Sequence, residues 1–221
     1  MTTTKVRLRA AIVAVAPLLL LGGLAYHPYI PNVTDKTAVA NALSADTARW
    51  GISHLVVGVA SGVLAIAFLA VRSLLREAGE DRWSSPAVPF IVLGSTLFAF
   101  LPAMEIATLA AVEVGADGVA VQTALGPWFF PILIVSAVIF GLGVLGFAAG
   151  IVRSGVLSPR LAGLVVAALV VLAITRFIPL GVSLYLGGVS AVVALWPLAY
   201  QMWRLQEAPQ PAGRTRPTLA T

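Results

Sequence analysis

The chain contains six apolar stretches, each long enough to cross a lipid bilayer as a helix. A transmembrane helix needs about 20 predominantly apolar residues. Such stretches occupy residues 10–26, 50–71, 89–111, 127–151, 161–178 and 182–203. Their hydrophobicity is continuous rather than alternating, which favours helices over the strands of a membrane barrel. We therefore expect an all-α, polytopic membrane protein with six transmembrane helices.

The composition excludes several other classes of protein. Only 10% of the 221 residues are charged and 59% are hydrophobic, whereas a soluble domain carries about 25% charged residues. This excludes a soluble globular enzyme, a disordered protein and a nucleic-acid-binding domain. The expected partner is the lipid bilayer, joined by another membrane protein or a second copy of the chain. The chain has no cysteine, which excludes disulfides, cysteine-ligated iron–sulfur clusters and thiolate zinc sites.

The distribution of Lys and Arg predicts the orientation. Eleven of the 14 basic residues lie in the N-terminal tail, the second loop, the fourth loop and the C-terminal tail. The remaining three, Lys36, Arg49 and Arg176, lie toward the other side. Because the side richer in Lys and Arg is cytoplasmic, we expect both termini in the cytoplasm and the protein in the plasma (inner) membrane.

The same pattern divides the chain into three parts. Residues 1–9 form a cytoplasmic tail, residues 10–204 the transmembrane domain, and residues 205–221 a second cytoplasmic tail whose Pro, Gly and Thr content is typical of disorder. An outer loop of about 27–49 is polar, and its residues 37–48 predict a short interfacial helix. Gly141, Gly143 and Gly146 lie in the middle of the fourth apolar stretch and predict close helix packing.

Three ionisable residues lie within the apolar stretches, where such groups are costly and mark functional candidates. With a rise of 1.5 Å per residue, Glu105 and Arg176 lie about 24 and 23 Å from the cytoplasmic edge. His54 lies about 6 Å below the outer edge, which again gives a level of about 24 Å. The spacing therefore predicts an acid, a guanidinium and an imidazole at one depth in the outer leaflet.

Helical periodicity predicts which way two of these side chains face. The residues at helical spacing from His54 are all small, as is typical of a helix–helix interface: Gly58, Ser61, Gly62 and Ala65. Those at helical spacing from Glu105 are Pro102, Phe98, Gly94 and Thr108. Both side chains should point into the bundle rather than at lipid. The residues at helical spacing from Arg176 do not show whether its side chain faces the bundle or the lipid.

Two interpretations of this cluster remain open. In the first, Glu105 and Arg176 form an ion pair that joins the third and fifth spans, and His54 is a hydrogen-bonded interface residue. In the second, the three residues line an outward-facing polar pocket for a small ligand or a proton. His54 would then titrate, since its unperturbed pKa is near 6.5. Aromatic and histidine side chains would frame the mouth of this pocket: Tyr26, His27, Trp50, Trp128 and Tyr185.

Two further features of the sequence concern cofactor binding and catalysis. His27 and His54 are the two histidines of the chain and are candidates for binding haem or a metal ion. A di-haem membrane protein would need four, so we expect no cofactor. Residues 58–62 (GVASG) are similar to an intramembrane serine-protease motif, but no histidine follows on a later helix to activate Ser61. We expect no enzymatic activity.

Short motifs resemble those of a family of small multi-span bacterial inner-membrane proteins whose function is uncharacterised. They are His27-Pro28 after the first span, Trp50 with His54 at the start of the second, and residues 153–163 (RSGVLSPRLAG) between the fourth and fifth. The resemblance implies a bacterial inner-membrane protein and carries no activity. Together, the observations predict a non-catalytic accessory or small-ligand-binding membrane component. The alternative is a proton-coupled or small-solute transporter that uses His54, Glu105 and Arg176.

Overall fold

The computed structural model describes residues 3–207, which form seven helices and no strand. The helices are α1 (Thr3–Tyr26), α2 (Lys36–Ala45), α3 (Thr47–Glu77), α4 (Ser84–Glu113), α5 (Gly118–Ser154), α6 (Pro159–Thr175) and α7 (Gly181–Glu207). Five of them, α1, α3, α4, α5 and α7, are long and apolar enough to cross a membrane. The predicted class, an all-α polytopic membrane protein, is confirmed.

The ends of the helices differ from the predicted ends of the spans. The α6 helix is apolar but has only 17 residues, so the sixth crossing remains a prediction. The α1 helix begins at Thr3, within the predicted N-terminal tail. The α7 helix continues through Glu207, beyond the predicted start of the C-terminal tail. The rest of that predicted tail, residues 208–221, lies outside the described residues.

Phe68 of α3 lies at the centre of the main hydrophobic core. Its ring packs edge-on against Phe140 and Phe147 of α5, with centroid distances of 6.1 and 4.9 Å. Each of the three side chains is almost completely buried. Edge-to-face geometry is the arrangement that aromatic rings prefer. The three rings form a buried layer that joins α3 to α5.

Glycines bring α4 and α5 into close contact. A Cβ atom on Gly143 would lie 2.7 Å from the Ile91 side chain, and one on Gly146 would lie 2.6 Å from Cβ of Ala87. A Cβ on Gly94 would lie 2.6 Å from the backbone nitrogen of Phe140. The packing role predicted for the glycines of α5 is therefore confirmed for Gly143 and Gly146. Small residues allow helix backbones in membranes to approach in this way.

One end of the bundle, which we call the basic end, holds the start of α1, the end of α3 and the link to α4. Arg9 pairs with Glu77 at 3.1 Å and Arg72 pairs with Asp81 at 2.8 Å. Arg153, in the last turn of α5, lies with its guanidinium 4.8 Å from the centre of the Trp83 ring. The ends of four helices therefore meet here.

The opposite end, which we call the cavity end, is tied together by backbone hydrogen bonds. The segment after α1 pairs with the link between α6 and α7 through the bridge of Asn32 with Leu180. A Cβ on Gly181 would collide with the Ile30 carbonyl oxygen, so only glycine fits at this crossing. Asp35 caps α2 by accepting from two backbone N–H groups. The observed α2 helix confirms the predicted short helix in this loop.

Candidate ligand cavity

A cavity of about 190 Å³ lies at the cavity end of the bundle. Each of the seven helices contributes to its wall, together with the segment after α1 and the link before α7. Most of the wall is apolar. Its polar and ionisable members are His27, Thr34, Lys36, Trp50, His54, Glu105, Gln122, Thr175, Arg176 and Ser183. The three residues predicted to lie at one depth, His54, Glu105 and Arg176, thus border a single cavity.

His27, Trp50 and His54 form an aromatic cluster on one wall. The ring centroids are 4.9 Å apart for the two histidines, 5.1 Å for His27 and Trp50, and 4.5 Å for Trp50 and His54. The Trp50 side chain is 2% exposed, and its Nε1 has no hydrogen-bond partner among the described residues. A buried indole N–H usually finds an acceptor. This wall therefore carries an unused donor.

Backbone hydrogen bonds set the tautomer of both histidines. Nδ1 of His54 lies 2.7 Å from the carbonyl oxygen of Trp50, and Nδ1 of His27 lies 2.7 Å from that of Pro28. A carbonyl oxygen can only accept, so each Nδ1 carries a proton and donates it. In a neutral ring Nε2 is then the acceptor, and neither Nε2 has a hydrogen bond within residues 3–207.

Burial lowers the pKa of His27 below its usual value of 6.5. The hydrogen bond to the Pro28 carbonyl opposes this shift, and the positive charge of Arg49 adds to it. Burial penalises the charged imidazolium because the protein interior solvates it poorly. His27 is therefore neutral at physiological pH.

Arg176 follows directly after α6, and its side chain is buried without a polar partner among the described residues. The guanidinium carbon lies 3.6 Å from the centre of the Phe140 ring and 4.3 Å from that of Phe98. Within residues 3–207 the guanidinium makes no hydrogen bond or ion pair, and Nη1 is fully enclosed. A buried charge costs several kcal/mol, whereas a cation–π contact contributes about 0.5–2 kcal/mol. The two rings offset only part of the cost.

Glu105 of α4 is bound to a different partner from the one predicted. Its Oε2 accepts a 2.8 Å hydrogen bond from Nε2 of Gln122 on α5, and the residue is 7% exposed. The two ion pairs of the described chain lie at the basic end and involve neither Glu105 nor Arg176. Of the two interpretations left open by the sequence, the Glu105–Arg176 ion pair is therefore wrong. Equal depth along two helices does not set the rotation that would bring the two side chains together.

Three of the predicted aromatic residues lie outside the cavity wall. Tyr26 is 48% exposed, and its carbonyl oxygen accepts from Nε of Arg49 at 2.6 Å. Tyr185 stacks against Tyr29 with a centroid distance of 6.2 Å. Trp128 is exposed on α5 and also stands outside the wall. Of the predicted set, Trp50 and His27 line the cavity.

Gln122 and the aromatic surroundings of Arg176 are features of the cavity that were not predicted from the sequence. Gln122 is the buried amide that binds Glu105, and it lies in the second turn of α5, just after the Asp117 cap. Its helical spacing to Phe129 and Gly126, both in the wall, was a signal that could have been used. Nothing in the sequence pairs Arg176 with rings from two other helices.

Comparisons with known proteins supply no relative for this chain. No family model matches it, and neither does any curated protein or solved structure. The family suggested by the short motifs therefore stays a prediction. Among the described residues, no group of three or more His, Asp or Glu side chains is placed to hold a metal ion. The two histidines have no third ligand beside them in this part of the chain.

Proposed function

We propose that this protein is a non-catalytic integral membrane protein that binds a small ligand in the cavity described above. The observation that carries this proposal is the enclosed Arg176 guanidinium, which borders a cavity and has no polar partner within the described residues. Ionisable residues at membrane depth are retained where they serve a function. A ligand that supplies the missing acceptor accounts for this arrangement.

We also propose six crossings with both termini in the cytoplasm. The length of α6, 17 residues, corresponds to about 26 Å, close to the roughly 30 Å hydrocarbon core. It starts after α5, whose last turn lies at the basic end, and finishes at the cavity. This course supports a crossing. The excess of Lys and Arg supports a cytoplasmic location for the basic end, with the cavity opening toward the opposite side.

The packing beyond the cavity supports binding rather than transport. Phe140 lies beneath Arg176, and its ring packs against Phe68, which also contacts Phe147. All three rings are almost completely buried. A transporter of the alternating-access type typically has interrupted helices at its binding site. Here α3 and α5 continue without a break past this layer.

Cysteine accessibility tests the proposal directly, because the chain has no cysteine of its own. Thr175 lines the cavity, whereas Ser136 is fully buried and stands outside the wall. Thr175→Cys should react with a small, membrane-impermeant thiol reagent added to the outer face of intact cells. Ser136→Cys is the matched control and should stay unmodified.

Each labelling result bears on the proposal. A Thr175→Cys protein that folds and remains unmodified would refute an outward-open ligand cavity. Modification only from the cytoplasmic side would refute the orientation. Ser73→Cys, on α3 near the basic end, should be modified only when the reagent reaches the cytoplasm.

A further inference from the structure

We infer that the ligand is a small monocarboxylate with a compact apolar body, whose carboxylate binds Arg176. This inference rests on the proposed function and adds the chemical class of the ligand. It depends on four features of the cavity: the unused donors, the balance of charge, the volume and the apolar wall.

The donors around the cavity fit a carboxylate. The guanidinium carbon of Arg176 lies over the rings of Phe140 and Phe98, and Nη1 is enclosed, so the Nε–Nη2 edge is the part left for a ligand. That edge matches the two oxygens of a carboxylate in geometry. Nε1 of Trp50, a residue of the same wall, is also a buried donor without a partner in the described chain, but it is enclosed, so a ligand reaches it only if the indole shifts.

The charge of the wall fits a single negative charge. Arg176 and Lys36 are the cationic residues of the wall, and Glu105 is its acid. Glu105 already accepts from Gln122. The wall thus holds one more cationic residue than acidic residues, an excess that a monoanion matches. A cationic ligand would add a positive charge next to a buried guanidinium that has no counter-ion within residues 3–207.

The size and polarity of the cavity limit the rest of the ligand. An engineered apolar cavity of about 150 Å³ holds benzene, so a volume of about 190 Å³ fits one ring with a carboxylate attached. Leucine and phenylalanine side chains form much of the wall, among them Leu24, Leu133, Leu172 and Phe129. An inorganic anion would leave this apolar surface unfilled. A long acyl chain would exceed the volume.

Benzoate is the probe, and benzamide is its uncharged control of nearly the same shape. We would measure binding to the full chain in lipid nanodiscs by calorimetry, and by protection of Thr175→Cys against the thiol reagent. Benzoate should bind about 10- to 100-fold more tightly than benzamide, as expected for hydrogen bonds to a charged group. Chloride and decanoate, tested alone, should bind more weakly than benzoate.

Two variants locate the effect at the cavity. Arg176→Gln should remove the preference for benzoate over benzamide. Arg49→Gln changes an arginine at the same end that lies outside the cavity wall, and it should keep the preference. If Arg176→Gln does not fold, Arg176→Lys and the benzoate-to-benzamide ratio of the unmodified protein decide the question. Lysine lacks the planar fork and should weaken benzoate binding.

Several results would overturn the inference. Equal binding of benzoate and benzamide would show that charge is not recognised. Chloride binding as tight as benzoate would indicate an inorganic-anion site, and tighter decanoate binding would indicate a lipid-like acid. If Thr175→Cys is modified from outside but benzoate gives no protection, the carboxylate inference fails and the proposed ligand cavity stands. If Thr175→Cys is not modified, both fail.

Discussion

Replacing Arg176 with methionine should stabilise the protein in the absence of a ligand. Methionine keeps the length and flexibility of the side chain but removes the charge. In the structure the guanidinium has no polar partner within the described residues and gains only its contacts with Phe140 and Phe98. An enclosed ligand-binding group is expected to cost stability, because its partner is present only in the bound state.

The magnitude follows from the opposing contributions to the free energy of unfolding. Removing the charge relieves a desolvation penalty of several kcal/mol. It also removes two cation–π contacts of about 0.5–2 kcal/mol each, while the thioether keeps favourable contact with the rings. We therefore expect a net gain of about 1–3 kcal/mol, or roughly 2–10 °C in Tm for a protein of this size.

Thermal unfolding in a mild detergent would measure this gain. The matched control is Arg72→Met, because Arg72 pairs with Asp81 at 2.8 Å and donates to Ser85 at 3.1 Å. That substitution should leave Tm unchanged or lower it slightly, since an exposed pair contributes about 0–1 kcal/mol. A loss of Tm in Arg176→Met larger than that of the control would refute the reasoning. It would mean that the guanidinium has a stabilising partner.

Three further predictions concern the cavity and the helix packing. Glu105→Gln keeps an acceptor for its partner on α5, so it should change stability by less than about 1 kcal/mol. In the double variant with Arg176→Gln the two unfolding free energies should add within about 0.5 kcal/mol, and a larger coupling would show direct contact. Burial lowers the pKa of His27, so the unfolded chain binds the proton more readily. The contribution of neutral His27 to the free energy of unfolding should be complete above about pH 6.5 and should fall as the pH drops below this value. The His27→Gln variant should lose less stability over the same range. Measurements of Tm from pH 8 to 5 check both expectations. Gly94→Ala places a methyl group 2.6 Å from a backbone nitrogen of α5 and should lower stability by about 1–3 kcal/mol. The matched variant Gly141→Ala, which meets nothing within 4 Å, should not.

The course of single helices could be predicted from the sequence. Apolar runs longer than the hydrocarbon core predict helices, because the backbone must satisfy its own hydrogen bonds in lipid. The helical period also placed Glu105 on a buried face, and the rise per residue placed His54 and Arg176 at the same end of the bundle. These are properties of one helix at a time, set by local geometry.

The contacts between helices were decided only by the tertiary structure. The predicted partner of Glu105 was the opposite charge, but the structure gives it the amide of Gln122 and leaves Arg176 against Phe140 and Phe98. The length of α6 likewise falls short of the predicted span. Apolar periodicity gives the depth and the buried face of a helix. The rotation of each helix against its neighbours depends on where small residues such as Gly94 let backbones approach, and this determines which polar groups meet.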